Sequence, residues 1–517
     1  MKTHLFAHFP AHSTVSARLA IACAALACTL LAGPIHAAAD IKPAPQAPKR
    51  GQLTIAPEEA MKPWTGDLDA MIERRVIRIL TVYSKTFYFV DKGVQRGTSY
   101  DIGSLFLDDL NKKLAKDNRL KQKHLKVRAV FIPVERGKLL QALIAGKGDV
   151  VIASFGVTEE RQKLVDFSSP LLTDVSEVVV SGPGAPTISG ADDLAGKQVF
   201  VRKSSTYYES LVALNQRFAA EKKPAVIIKE APETLEDEDL IEMVNAGLIP
   251  LTVAADFVAR FWKQVFPRIT VHEGIALRTG GNLAWAIRKD SPQLKAAVDD
   301  FAARHAKGTA VGNQVMARYF KNAKYVKDAA SEAERKKFLA LIQFFQQYGD
   351  RYDVDWLLMA AQGYQESQLN QAARSPVGAI GVMQVMPATG KDLNVGDINQ
   401  VEANIHAGVK YMRWMIDNYY GKEPMTNLDK ALFSFAAYNC GAGRVSQLRK
   451  EAAKRGLDPS IWFHNVEYVA AEKIGAETVT YVSNIYKYYI AYKLIMESRA
   501  ERAQAAEQLK GASQPVR

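Results

Sequence analysis

Glu366 stands in the run Tyr364-Gln365-Glu366-Ser367-Gln368-Leu369, at the end of a helical pattern that begins near Asp353. It has no second acid near it in sequence. Three more blocks of mixed small, polar and aromatic residues follow: Ala379-Ile380-Gly381-Val382-Met383-Gln384-Val385-Met386-Pro387, then Phe435-Ala436-Ala437-Tyr438-Asn439-Cys440-Gly441-Ala442-Gly443, then Glu477-Thr478-Val479-Thr480-Tyr481-Val482. A lone carboxyl can act first as a proton donor and then as a proton acceptor. To do so near neutrality it must be lifted above its ordinary pKa, and burial in an apolar pocket does that. Val382, Met383 and Tyr438 are the candidate walls. Glu477 and Tyr481 are four residues apart and so share one face of a late helix. The alternative for Glu366 is an exposed helix-terminal carboxylate, and for Met383 ordinary core packing.

A second constellation lies earlier. Arg161 falls where a turn begins a helix, just after a β-rich run. Ligands of open α/β sheets bind beyond the carboxyl ends of the strands. A guanidinium there can hold a carboxylate through two parallel hydrogen bonds. Ser204-Ser205-Thr206 sit between another strand and a helix, where hydroxyls and helix N-terminal N–H groups can hold the same anion. The alternatives are a surface ion pair for Arg161 and plain helix capping for the hydroxyls.

The elements that must position these residues change character along the chain. From about 67 to 305, strand candidates (Ile77–Val82, Val127–Pro133, Asp149–Ser154, Glu177–Ser181, Gln198–Arg202, Ala225–Lys229, Leu283–Arg288) alternate with helical patterns (Gly103–Leu114, Gly137–Ile144, Tyr207–Ala219, Pro292–His305). That alternation predicts βαβ units and an open α/β sheet. From about Ser331 to Ala506 only helical spacing remains, which predicts a second, all-α domain. The expected organisation is an N-terminal signal over 1–39, a Pro/Ala/Lys-rich linker over 40–66, an α/β domain over 67–320, a second linker over 321–336, an all-α domain over 337–498 and a solvated tail over 499–517.

The chain has 517 residues, 48% hydrophobic and 24% charged, a balance that excludes wholesale disorder. The excess of 67 Lys and Arg over 55 Asp and Glu is +12 and favours anionic partners. The N-terminus places Lys2 and Arg18 before an apolar stretch, Leu19–Ala32, then Gly33-Pro34 and Ala37-Ala38-Ala39. This is the order of a cleavable secretory signal, and the stretch is shorter than the about 20 residues that span a bilayer. Lipidation at Cys28 is the minor alternative. Cleavage leaves +10, and Cys440 becomes the only cysteine, so no internal disulfide is expected. The cysteine spacing fits no structural zinc site, and no metal-binding, phosphate-loop or nucleophile-elbow motif is present, so no cofactor is expected. Cys440 reads as a packed, inert thiol, and His272, His305, His406 and His464 as structural or solvated.

The four ordered blocks resemble the soluble-type lytic transglycosylase domain, with its lysozyme-like fold, over about 345–495. Gly97-Thr98-Ser99-Tyr100-Asp101-Ile102, Gly148–Ser154 with Thr158-Glu159-Glu160-Arg161 and Val165–Pro170, and Asp193–Val199 resemble the bacterial extracellular solute-binding family that captures amino acids, over about 75–305. The pairing is similar to the membrane-bound lytic murein transglycosylase F family. The resemblance implies cleavage of the β-1,4 bond between N-acetylmuramic acid and N-acetylglucosamine, leaving 1,6-anhydromuramoyl ends. It implies Glu366 as the acid and base, with Tyr438 orienting it. Ser375 and Gln384 would hold the sugar acetamide or a peptide stem, Met383 and Asn439 would line the pocket, and Glu477 and Tyr481 would close the cleft.

In the first domain the resemblance implies that Arg161 and Ser204, Ser205 and Thr206 hold a ligand carboxylate. Of the carboxylates that would hold an amine, only Asp256 remains, which favours a peptide or muropeptide over a free amino acid. The implied setting is the periplasm, with peripheral attachment to the outer membrane as an alternative left open, glycan strands as partner and no nucleic acid. The competing reading is a muropeptide sensor or wall-binding protein without catalysis.

Overall fold

The computed structural model describes residues 52–512, apart from 57–59, 92, 121, 123, 330 and 331. The expected signal, the Cys28 alternative and residues 513–517 lie outside the described residues. The strands are β1 (Val76–Thr81), β2 (Phe89–Asp91), β3 (Val94–Arg96), β4 (Arg128–Pro133), β5 (Val150–Gly156), β6 (Asp166–Phe167), β7 (Leu172–Ser181), β8 (Gln198–Arg202), β9 (Ile227–Ala231), β10 (Leu251–Ala255) and β11 (Thr270–Ile287). Their order in the main sheet is β4-β1-β5-β11-β7-β10-β8-β9, with β6 on β11, while β2 and β3 form a separate hairpin.

The sheet makes two lobes. β4, β1 and β5 are parallel, as are β10, β8 and β9. β7 and β11 run antiparallel between these groups, and their register shifts repeatedly along the pairing. Each lobe has its own apolar core. Phe106, Phe131, Trp285 and Phe301 anchor the first, and Leu194, Val199, Leu211 and Phe218 the second. β10 is buried at every position, as strands covered on both faces are. Its four apolar residues and Thr252 show no clear alternation, so it is not among the expected strands. The stretch expected as the strand Leu283–Arg288 is the end of the much longer β11.

After residue 331 the chain is helical: Glu332–Arg351, Trp356–Ser367, Val401–Met415 continuing through Ile416–Tyr420, Asn427–Cys440, Ala442–Lys454, Glu467–Lys473 and the long Ala476–Ala512. None of the described helices is long and apolar enough to cross a membrane.

The helical domain is seated on the first lobe. Arg75 and Glu467 form a buried ion pair across the join. Arg128 donates to Ser483 Oγ at 2.5 Å and lies over the Phe463 ring, and Tyr492 Oη donates to the Gly93 carbonyl at 2.5 Å. Within the stretch expected as a linker, Leu53 is buried and exchanges backbone hydrogen bonds with Asp353 and Asp355, and the Ile55 carbonyl accepts from Tyr489 Oη. The last helix runs on to Ala512, into the stretch expected as a solvated tail. There Arg502 is buried, donates to the Tyr83 carbonyl at 2.5 Å and pairs with Asp239 of the second lobe.

Candidate functional site

The helix Trp356–Ser367 is built to carry one polar end out of an apolar core. Asp355 caps it by accepting from the Leu357 N–H at 3.0 Å. Leu357 through Tyr364 are buried without a break. Gln368 and Leu369, with φ of 55° and 61°, then turn the chain left-handed and stop the helix one residue after Ser367. Glu366 therefore sits half-buried in the final turn. Ser367 Oγ reaches across to the Val382 carbonyl at 2.9 Å and ties this turn to the block that follows.

Tyr481, from the long C-terminal helix, donates its hydroxyl to Glu366 Oε1 at 2.5 Å. Gln362, one turn before Glu366, in turn donates its amide to Tyr481 Oη at 3.0 Å. Burial first, and the charge of Glu366 second, push the Tyr481 phenol well above its ordinary range, so it stays a proton donor. Tyr438, expected to orient the carboxyl, instead donates to the Met383 carbonyl at 2.8 Å. It still lies near enough to Glu366 for that charge to raise its own pKa, after burial.

The block Ala379–Pro387 is a folded loop held from beneath. Asn404 is 0% exposed; it accepts from the Met383 N–H at 2.8 Å and donates to the Ile380 and Ile398 carbonyls at 2.8 and 3.1 Å. Gly381 needs its positive φ of 78°, and a Cβ there would collide with Asn404 at 2.7 Å. Met383 does not line a cleft. Its side chain is 0% exposed and fills the space left by Gly408, where a Cβ would come within 2.6 Å of Met383 Cγ. Its contribution at the site is the carbonyl that fixes Tyr438. Gln384, with φ of 46°, donates to the Gly381 carbonyl at 2.8 Å, and Ser375 Oγ accepts from the Ala379 N–H at 2.9 Å.

Asn439 Oδ1 accepts from Thr478 Oγ1 at 2.7 Å, which joins the third block to the fourth, and Glu477 is exposed one turn before Tyr481. The fold thus brings Tyr481 onto Glu366 and sets Tyr438, held by the Met383 carbonyl, close to both. Gln362, Ser367 and Asn404 belong to the same framework and were not expected from the sequence.

Between the lobes of the first domain lies a cavity lined by Arg136, Arg161, Glu177, Arg202, Asp237 and Arg278 among others. Arg161 is 9% exposed, stacks on the Phe155 ring and donates to the Gly156 and Ser204 carbonyls at 2.7 Å each. Burial pushes its pKa down to about 10. The Ser204 N–H donates to Glu233 at 2.8 Å, and its hydroxyl also meets that carboxylate. Ser205 caps the helix Thr206–Ala220, and Thr206 lines the cavity. Asp256 does not face this cavity: its carboxylate accepts from Arg260 and from the Ser176 N–H. Glu177 and Asp237 are the carboxylates that do. They were missed because they come from β7 and from a helix whose acidic first turn reads as a solvated end.

Among the described residues no group of His, Cys, Asp and Glu is placed to hold a metal. Burial pushes the Cys440 thiol up, which makes it a poor nucleophile. His272, His305, His406 and His464 hydrogen-bond Ser181, the Phe301 carbonyl, Tyr352 and Tyr468 respectively.

Residues 343–460 match the Transglycosylase SLT domain, and residues 86–322 match the bacterial extracellular solute-binding proteins, family 3. Among similar proteins, the membrane-bound lytic murein transglycosylase F of Pseudomonas fluorescens (strain Pf0-1) is 28% identical, over 85% of this chain and 89% of that protein. The protein of that name from Desulfosudis oleivorans is 29% identical over 80% of this chain and 89% of its own length. Along a single chain, this protein thus carries a match to the family 3 solute-binding proteins followed by a match to the SLT domain, and over most of its length it is similar to proteins named membrane-bound lytic murein transglycosylase F.

Proposed function

We propose that this chain is a peptidoglycan lytic transglycosylase with a solute-binding domain, and that Glu366 is its acid and base. The observation that carries the reading is a single carboxyl at the end of a buried helix, hydrogen-bonded by a phenol that stays protonated. Glu366 gives its proton to the glycosidic oxygen as the bond from C1 of N-acetylmuramic acid to O4 of N-acetylglucosamine breaks. The neighbouring N-acetyl oxygen stabilises the positive charge left at C1. The same carboxylate then takes the proton of the muramoyl C6 hydroxyl as that oxygen bonds to C1 and closes the 1,6-anhydro ring. The proton lost in the first step returns in the second, and no water is consumed. Two-acid hydrolysis would need a second carboxylate across the bond to activate water or to attack.

Around this centre we assign Ser375 and Gln384 to the sugar acetamide or peptide stem, and Asn439 and Glu477 to the cleft. In the first domain, the interlobe cavity is the place for a peptide or muropeptide ligand, with Arg161 and the Ser204–Thr206 hydroxyls at its anionic end. Glu177 and Asp237 replace Asp256 as partners for a positive group. The +10 left after signal cleavage suits an anionic wall polymer in the periplasm. The test is digestion of isolated sacculi. Wild type should release anhydro-muropeptides, and Glu366→Gln should lose at least about a hundredfold in rate. Equal release by both would remove Glu366 from its role.

A further inference from the structure

Gln362 is 0% exposed on a helix whose other buried residues at this level are Ala, Gly and Met. A long amide there is costly unless its groups are paired. Only half of it is: Nε2 donates to Tyr481 Oη at 3.0 Å, and Oε1 has no hydrogen-bond partner. A buried polar group kept at that cost calls for a reason beyond packing.

The reason lies in the direction of the hydrogen bonds. An amide nitrogen can only donate, and a phenol has one proton. With Gln362 occupying a lone pair of Tyr481 Oη, the single phenolic proton goes to Glu366 Oε1 at 2.5 Å. That oxygen is then an acceptor whether Glu366 is ionised or protonated. We propose that Gln362 is a positioning residue: by donating to Tyr481 it commits the phenolic proton to Glu366 Oε1 and so assigns the working proton to Oε2. One oxygen is thereby held in place while the other both gives and takes the proton in the two steps above. The chain from Gln362 to Tyr481 to Glu366 also polarises in one direction, which strengthens the final bond and favours the carboxylate.

This inference rests on Glu366 as the acid, and the two fail separately. The experiment uses the full-length protein on a defined glycan strand, with pH–rate profiles and melting temperatures for Gln362→Met, Tyr481→Phe, the double variant and Glu366→Gln. Gln362→Met keeps the length and removes the donor. It should shift the alkaline limb of kcat/KM upward by about half a pH unit or more and lower kcat with little change in KM. In the Tyr481→Phe background it should add no further shift, because the residue acts through that hydroxyl.

Gln362→Glu is a second, isosteric variant. Ionised, its new carboxylate accepts the Tyr481 proton and reverses the chain, so activity should collapse at high pH and recover as the introduced group is protonated. The inference is overturned if Glu366→Gln is inactive yet Gln362→Met leaves the pH profile in place, or if its effect adds in full to that of Tyr481→Phe. Full activity of Glu366→Gln would instead overturn the reading of the site itself.

Discussion

The Tyr481 hydroxyl and the Glu366 carboxyl, 115 residues apart in the chain, meet at 2.5 Å across two helices of the catalytic domain. Two other blocks are built around this contact. Ser367 holds the end of the acid helix to Val382, and Tyr438 braces the next carbonyl, that of Met383.

Tyr481→Phe keeps the ring and deletes the donor. A hydrogen bond to a charged group is worth about 1.5–3 kcal/mol, so turnover should fall roughly ten- to a hundredfold. The melting temperature should fall as well, because the buried Gln362 amide loses its partner. Initial rates of anhydro-muropeptide release and a thermal melt check both halves.

Asn404 supports the loop Ala379–Pro387 through three hydrogen bonds. Asn404→Leu leaves the Met383 N–H without a partner, while the Ile380 carbonyl keeps the Val385 N–H and the Ile398 carbonyl keeps the Gln371 amide. The cost should be about 1–3 kcal/mol in urea unfolding. Loss of activity should exceed the loss of folded protein, because the Met383 carbonyl that fixes Tyr438 is on the same loop.

Arg136, in the first lobe, holds Glu236 of the second with both oxygens engaged, at 3.0 and 3.1 Å from Nε and 2.6 Å from Nη2. Arg136→Met strands a buried carboxylate, which should destabilise the domain by about 3–5 kcal/mol. Adding Glu236→Gln should recover a large part of that. Urea unfolding of both variants gives the comparison.

Lys487 is half-buried at the join between domains, and burial together with nearby Arg128 pushes its pKa down to about 8 from the usual 10.5. The unfolded chain holds this proton up to about 10.5, whereas the folded chain releases it near 8. Between those values the unfolded state binds more protons, so stability rises with pH. Lys487→Met should therefore raise the melting temperature at pH 7. The gain should shrink steadily from pH 8 upward and largely vanish near pH 10.5.

The four catalytic blocks were legible because each is a contiguous run whose small, polar and aromatic residues fit no amphipathic pattern. The sheet was legible where buried strands are flanked by turns, as at Gln198–Arg202, where the expected and observed strands coincide. What escaped depends on partners far away in sequence. Gln362 and Asn404 look like polar interruptions of helical patterns until Tyr481 and Met383 are placed beside them. Met383 sits in a motif block yet packs inward, because Gly408 leaves room for it. Asp256 is the one implied amine-holding carboxylate that the sequence retains, but Arg260, one turn along the same helix, takes its carboxylate. Leu251–Ala255 is a short, mostly apolar run without a clear period, and only the strands on either side make it a strand too.

The most direct measurement is the fate of solvent oxygen during cleavage. Digestion of sacculi in water enriched in oxygen-18, followed by mass spectrometry of the released muropeptides, reads it at once. Anhydro ends carrying no label, and absent with Glu366→Gln, are the predicted result. Labelled reducing ends from the wild-type protein would show water doing what the account gives to the muramoyl C6 hydroxyl, and would contradict it.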